Sequence, residues 1–80
     1  MAQTHLLSPL PGTYYRRPAP DQPAYKDVGD QVAVGEVVGL IEVMKSFIEV
    51  KSELGGKIVA FLIENEDPVM AGQPIIAIES

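Results

Sequence analysis

Seven prolines and seven glycines are scattered through a chain of 80 residues, and no window of a dozen residues keeps an apolar repeat near 3.6. A helical protein is thereby excluded, because each proline removes a backbone donor and each glycine adds freedom that a helix must suppress. What survives between the breaks are short β-branched or apolar runs at residues 32–34, 37–41, 47–50, 58–63 and 75–78. Gly29, Gly35, the Gly55-Gly56 pair, Pro68 and Gly72 punctuate them. This spacing predicts an all-β sandwich or barrel. Gly29, Gly35 and Gly72 are expected at turns of positive φ, since no Gly-x-Gly-x-x-Gly or lysine-ending phosphate loop is present.

By length the chain is one small domain, residues 1–80. Such a domain hides only about 60% of its unfolded surface, which leaves a thin core and little room for a buried active site. A complete enzyme with catalytic activity of its own is not expected. With 6 basic against 11 acidic side chains the formal net charge is -5, so no basic stripe can neutralise phosphates and nucleic acid is excluded as a partner. Zero cysteines remove disulfides and thiolate metal sites and fit a reducing compartment. No apolar run approaches the roughly 20 residues of a membrane span, and residues 1–10 lack a charged stretch before an apolar one. A soluble, cytoplasmic protein that meets no membrane is the expectation. Only 6% of residues are aromatic and none is Trp, so stacking platforms for bases or sugars are missing.

Comparison of the chain with itself shows a unit written twice. Ser8-Pro9-Leu10-Pro11-Gly12 resembles Ser52-Glu53-Leu54-Gly55-Gly56, and Val32-Ala33-Val34-Gly35 with its apolar sequel to Glu42 resembles Val69-Met70-Ala71-Gly72 with the run to Glu79. Gly12 to Gly35 is 23 steps and Gly56 to Gly72 is 16, so the first half holds seven extra residues, placed at 17–23. Pro18, Pro20 and Pro23 predict a stiff, extended loop that stands off the sheet. A tolerated surface insertion would look the same. The second register carries Glu42 onto Glu79, after which the first half continues through Val43-Met44-Lys45-Ser46-Phe47. Pseudo-twofold halves would put this hairpin at the end of the molecule away from the termini.

Residues 40–51 read as that hairpin. A loop centred on Lys45-Ser46 sets Glu42 opposite Glu49, a like-charge pair costing a few tenths to about 1 kcal/mol. A loop centred on Met44-Lys45 avoids it and pairs Ile41 with Ile48, so Met44-Lys45 is expected at the tip. Ile41, Val43, Ile48 and Val50 then share one face, and Glu42, Phe47, Glu49 and Lys51 the other. Tight hairpins favour Asn-Gly or Gly-rich pairs, so an exposed Met and Lys break a local rule, as functional positions do. An ordinary solvated lysine fits the same pattern. A nucleophilic lysine needs burial or a neighbouring cation to bring its amine down from about 10.4, and Glu42 and Glu49 supply neither. The pattern suits an amine to which another enzyme attaches a group.

Glu42-Val43-Met44-Lys45-Ser46 resembles the Met-Lys hairpin of biotinyl carrier domains, and Ser8-Pro9-Leu10-Pro11-Gly12-Thr13-Tyr14-Tyr15-Arg16 resembles the opening of the biotin carboxyl carriers of bacterial acetyl-CoA carboxylases. The similarity extends over residues 5–80, including the Val28-Gly29-Asp30 and Val34-Gly35-Glu36 turns and a proline-rich stretch, 17–24, that matches the "thumb" of those carriers. Related lipoyl domains read Asp-Lys-Ala at the tip and have no thumb, so Met44 favours biotin. The resemblance implies a flattened antiparallel barrel of two four-stranded sheets with quasi-twofold symmetry and a thumb loop. It implies biotin joined to the Lys45 amine by a biotin protein ligase, and a swinging arm that carries a carboxyl group from a biotin carboxylase subunit to a carboxyltransferase subunit. Met44, Val43, Ser46 and Glu42 frame the lysine, and Arg17 is the thumb residue expected near biotin. Val43 and Ser46 stand where such carriers usually have Ala and Met, and Arg17 where a small hydroxyl residue is usual. A lipoyl-type carrier and an unmodified domain that docks through the hairpin are the alternatives.

The remaining candidates read as structural. His5, the single histidine, has no Ser or Asp partner at a recognisable spacing. Tyr14, Tyr15 and Tyr25 are expected to pack the barrel rim and thumb base. Glu64-Asn65-Glu66-Asp67-Pro68 could suggest a metal, but contiguous carboxylates before a proline fit a solvated turn, and no metal site is expected.

Overall fold

The structure, a computed structural model, describes residues 3–80. Its elements are strands: β1 Gln3–Leu7, β2 Gly12–Tyr15, β3 Gln31–Val32, β4 Val37–Val43, β5 Ser46–Lys51, β6 Gly56–Phe61, β7 Pro68–Val69 and β8 Pro74–Glu79. They form two four-stranded antiparallel sheets, ordered β1-β8-β6-β3 and β5-β4-β2-β7. This is the all-β, double-sheet architecture expected from the sequence. Among the described residues no helix is long and apolar enough to cross a membrane. Inward residues of both sheets, among them Leu6, Tyr14, Val38, Ile41, Val50, Ile58, Ile76 and Ile78, meet in one apolar core.

The five apolar runs become β3, β4, β5, β6 and β8, with two of them trimmed. The run at 32–34 leaves its strand after Val32, because Ala33 to Glu36 closes a turn through Glu36 N–H to the Ala33 carbonyl (3.0 Å), and Val34 is exposed. The run at 58–63 likewise ends as a strand at Phe61. β1, β2 and β7 are not among the runs. β1 buries only Leu6, β7 is two residues long, and β2 is identified by its partners rather than by its composition.

The internal repeat has a hydrogen-bond counterpart at nearly every turn. Ser8 Oγ donates to the Leu10 carbonyl (2.7 Å), and Ser52 Oγ to that of Leu54 (2.6 Å); both serines are buried. Asp30 Oδ2 accepts the Asp27 N–H and Asp67 Oδ2 that of Glu64, each at 2.9 Å. The Gly35 N–H reaches the Ser52 carbonyl (2.7 Å) while the Gly72 N–H reaches that of Ser8 (2.8 Å), so each half clasps the other. The pairs Ser8/Ser52 and Tyr14/Ile58 are offset by 44 positions, but Asp27/Glu64 and Gly35/Gly72 by 37, so seven residues between Tyr14 and Asp27 have no counterpart. Gln3 opposite Glu79 then corresponds to Phe47 opposite Glu42. The first and last strands thus occupy on one sheet the place that the hairpin occupies on the other.

The loop between β2 and β3 differs from the expected extended strut. Its ends meet where the Tyr25 N–H bonds the Arg16 carbonyl (2.9 Å), so the chain between must reverse, and it does so at Gln22 N–H to the Ala19 carbonyl (3.0 Å). Arg16 braces this neck: its Nη2 lies 2.9 Å from Asp27 Oδ1 and 3.2 Å from the Lys26 carbonyl, and its guanidinium stands 4.0 Å over the Phe61 ring. Gly29, Gly35 and Gly72 have φ of 95°, 93° and 82°, as expected of turn glycines. Tyr14 does not lie at the rim. It is fully buried, its hydroxyl donates to the Val38 carbonyl (2.9 Å), and burial pushes its phenol well above the ordinary value.

Two stability predictions follow from these contacts. A Cβ at Gly39 would stand 2.5 Å from the Tyr14 ring, which is fixed by the core around it, so Gly39→Ala is expected to cost about 2–4 kcal/mol by denaturant unfolding. Ser8→Ala removes one donated bond to the partly buried Leu10 carbonyl, about 1 kcal/mol. Ser52→Ala removes that bond and an acceptor for the Leu54 N–H (3.1 Å), and is expected to cost measurably more.

Candidate functional site

β4 and β5 pair through Ile41 opposite Ile48, Glu42 opposite Phe47 and Val43 opposite Ser46. Met44-Lys45 is therefore the two-residue tip, and Glu42 and Glu49 are kept apart, as the charge argument required. Both tip residues have left-handed φ, 50° at Met44 and 69° at Lys45. That is the handedness a two-residue hairpin needs to match strand twist, and side chains adopt it at a cost of about 1 kcal/mol each. Met44 is 93% exposed, Lys45 and Ser46 are exposed, and Val43 and Glu42 are half-buried below them. The tip thus holds a primary amine and a thioether clear of the sheets, on a hairpin whose base is locked by buried Ile41 and Val50.

The outer face of the same hairpin is organised by Tyr15, which the alternation of β2 turns outward as it turns Tyr14 inward. Tyr15 Oη donates to Glu42 Oε1 at 2.9 Å, and its ring lies 5.9 Å from that of Phe47 in a tilted pair. The hydrogen bond to the Glu42 carboxylate, with burial and the nearby Glu66 charge, raises the phenol above its ordinary value. Glu42, a sequence candidate, is thereby held by a residue that sequence reasoning assigned to rim packing. The available signal was the Tyr14-Tyr15 doublet, since consecutive strand residues face opposite ways.

Beside this face lies a cavity of ≈ 490 Å³. Tyr15, Leu40 and Phe47 form its floor, Arg17, Pro18 and Pro20 one wall, and Asn65 and Glu66 another. The structure thus brings Arg17 to the same cavity as Phe47, two residues from the lysine. The Arg17 Nε is buried and has no hydrogen-bond partner. Glu66 sits in the turn where the other half has Gly29, at φ 70°, and Asn65 Oδ1 accepts the Arg16 N–H at 2.8 Å. His5 lies exposed on β1, in the other sheet. The acidic 64–68 segment is a turn in which Asp67 accepts a backbone N–H, and among the described residues no group of His, Cys, Asp or Glu could hold a metal.

A family model described as "Biotin-requiring enzyme" matches residues 4–78. The chain is 38% identical over 74 residues to the biotin carboxyl carrier protein of acetyl-CoA carboxylase from Nostoc sp., and covers 41% of it. It is 42% identical over 73 residues to the protein of that name from Chlamydia pneumoniae, of which it covers 44%. These matches take in 92% and 91% of the chain, which spans less than half the length of either relative. The structure superposes on the Kluyveromyces lactis urea carboxylase with a TM-score of 0.76 and 30% identity, over 99% of this chain and 6% of that one. The chain belongs to the biotin/lipoyl family of biotin-requiring enzymes.

Proposed function

We propose that this domain is a biotin carboxyl carrier whose attachment residue is Lys45. The observation that carries the reading is the amine itself, displayed at a left-handed Met44-Lys45 turn that contains no glycine. A biotin protein ligase is the enzyme that joins biotin to it by an amide. Bound biotin supplies a ureido nitrogen that accepts a carboxyl group at a biotin carboxylase and yields it at a carboxyltransferase, in an acetyl-CoA carboxylase or a related acyl-CoA carboxylase. This chain displays the arm and holds it.

The residues present suit that role. A stiff hairpin fixes the root of the arm, and the four-carbon lysine stem gives it reach, so two encounters with partner sites become local rather than bimolecular. Met44, Val43, Ser46 and Glu42 are the surface a ligase meets around the amine, with Glu42 fixed by Tyr15. Arg17 lines a cavity beside the hairpin, where the loop 17–24 serves as a thumb over the arm. A ureido carbonyl is an acceptor of the right kind for a guanidinium. Amide formation removes the Lys45 charge, which takes the formal net charge of -5 to one unit more negative and suits partners with basic surfaces.

Intact mass of the full chain after co-expression with a biotin ligase is expected to show one biotinyl group on wild-type protein and none on Lys45→Arg. One lipoyl group instead would make this a lipoyl carrier, and no addition would leave an interaction domain. Removal of residues 17–23 is expected to leave the strands folded, because the second half makes the equivalent connection without such a loop. Biotin attachment should then proceed as in wild type, while carboxyl transfer slows several-fold as the arm loses its wall. Unchanged transfer rates would deny the loop any part in holding the arm.

A further inference from the structure

One extra residue stands at the same place in each half of the repeat. Val37 lies opposite Lys51 but Gly39 opposite Val50, so Val38 is a bulge; Leu6 lies opposite Ile76 but Leu7 opposite Pro74, so Ile75 is its counterpart. The carbonyls of the two bulges find different donors. That of Ile75 accepts the Leu62 N–H (2.8 Å), a backbone bond, whereas that of Val38 accepts the Tyr14 hydroxyl (2.9 Å) in the buried interior. Leu62 has two counterparts in the first half, because the offset changes from 44 to 37 across the unmatched residues. One is Pro18, which has no N–H, and the other is Tyr25, whose N–H is spent on the Arg16 carbonyl at the neck of the loop (2.9 Å).

We infer that the Tyr14 hydroxyl replaces the backbone donor that the 17–23 insertion removes, and that by holding the Val38 bulge it is a positioning residue for Lys45; this second part rests on the carrier reading above. Gly39 makes room for the replacement. A Cβ there would stand 2.6 Å from the Tyr14 hydroxyl oxygen, and the corresponding pair in the second half, Ile76 and Ile58, has no hydroxyl to place. The bulge governs the tip because one extra residue reverses the alternation of everything beyond it. It lets Val38 and Ile41, three positions apart, both enter the core. Continued from Val37 opposite Lys51 without the extra residue, β4 would set Ile41 on the outer face opposite Phe47 and turn Glu42 inward opposite Ser46. Val43-Met44-Lys45 would then be a three-residue tip. With the bulge, Glu42 reaches Tyr15 and the lysine closes a two-residue turn. A buried Val38 carbonyl left without a donor would weaken the feature that sets where the amine stands.

The test follows amide hydrogen exchange and biotin attachment in the full chain and in Y14F, each with and without residues 17–23. Y14F is expected to exchange the amides of β4 and β5 about tenfold faster than wild type, while those of β1 and β8 change by less than about twofold. Without residues 17–23 the connection has the length of its counterpart, Tyr25 takes the place of Leu62, and its N–H can serve Val38. In that background Y14F is expected to speed exchange at the hairpin by less than about twofold. With a biotin ligase, Y14F in the full chain should raise the KM for the chain about twofold and spare kcat, since the ligase meets fewer hairpins with the tip in place. Equal acceleration in both backgrounds overturns the replacement of the donor. Uniform acceleration over both sheets, or an unchanged KM, overturns the positioning role and leaves the carrier reading standing. Failure of wild type to take biotin overturns the carrier reading and the role toward Lys45, while the exchange data alone decide the donor.

Discussion

The reciprocal clasp between the halves is the constraint on which the rest depends. The Ser8 N–H and carbonyl bond to Gln73 and Gly72, and those of Ser52 to Glu36 and Gly35. Each serine follows an outer strand of one sheet, and each partner turn belongs to the other half of the repeat. Neither sheet can move without breaking bonds of both halves, and one of the two clasps sits immediately after β5, the strand that leads down from the lysine. In a chain too short for a thick core, this interlock substitutes for buried mass. It gives the hairpin a root stiff enough for its tip to be a defined position in space.

Against that background the tip is the place where local stability is given up. Left-handed Met44 and Lys45, and an apolar side chain left almost wholly in water, are each unfavourable. The neighbouring strands offset this through buried Ile41 and Val50 and through the Tyr15 link to Glu42. Glu66 follows the same rule, holding a positive φ at the cavity wall where its counterpart is a glycine. Among the described residues, positive φ outside glycine occurs at the hairpin tip and at the edge of the neighbouring cavity, which marks that region as the working surface.

Much of this was legible in the residues. Gly/Pro punctuation and β-branched runs give the fold class, and charge repulsion between Glu42 and Glu49 selects the hairpin register that is observed. The strands that escaped are those whose stability comes from partners: β7 is two residues long and β1 has a single buried side chain. The loop escaped for a related reason. Proline content describes local stiffness, but the Tyr25–Arg16 bond that turns the loop back joins two residues outside the proline stretch. Arg17 could be named from the sequence as a loop residue, whereas its place beside Phe47 in the cavity lining depends on how the loop turns back.

A twofold scaffold offers two equivalent faces, and a carrier needs only one arm. The seven unmatched residues resolve this. On the sheet with the lysine they wall a cavity; the corresponding face of the other sheet, around Val28, Val59 and Phe61, has only a more open groove with Arg16 laid over its aromatic ring. The two adjacent arginines divide along the same line. Arg16 serves the symmetric frame by bracing the loop's neck, and Arg17, at the start of the unmatched segment, lines the asymmetric cavity. One insertion thus gives the face beside the hairpin a walled cavity that its counterpart on the other sheet lacks.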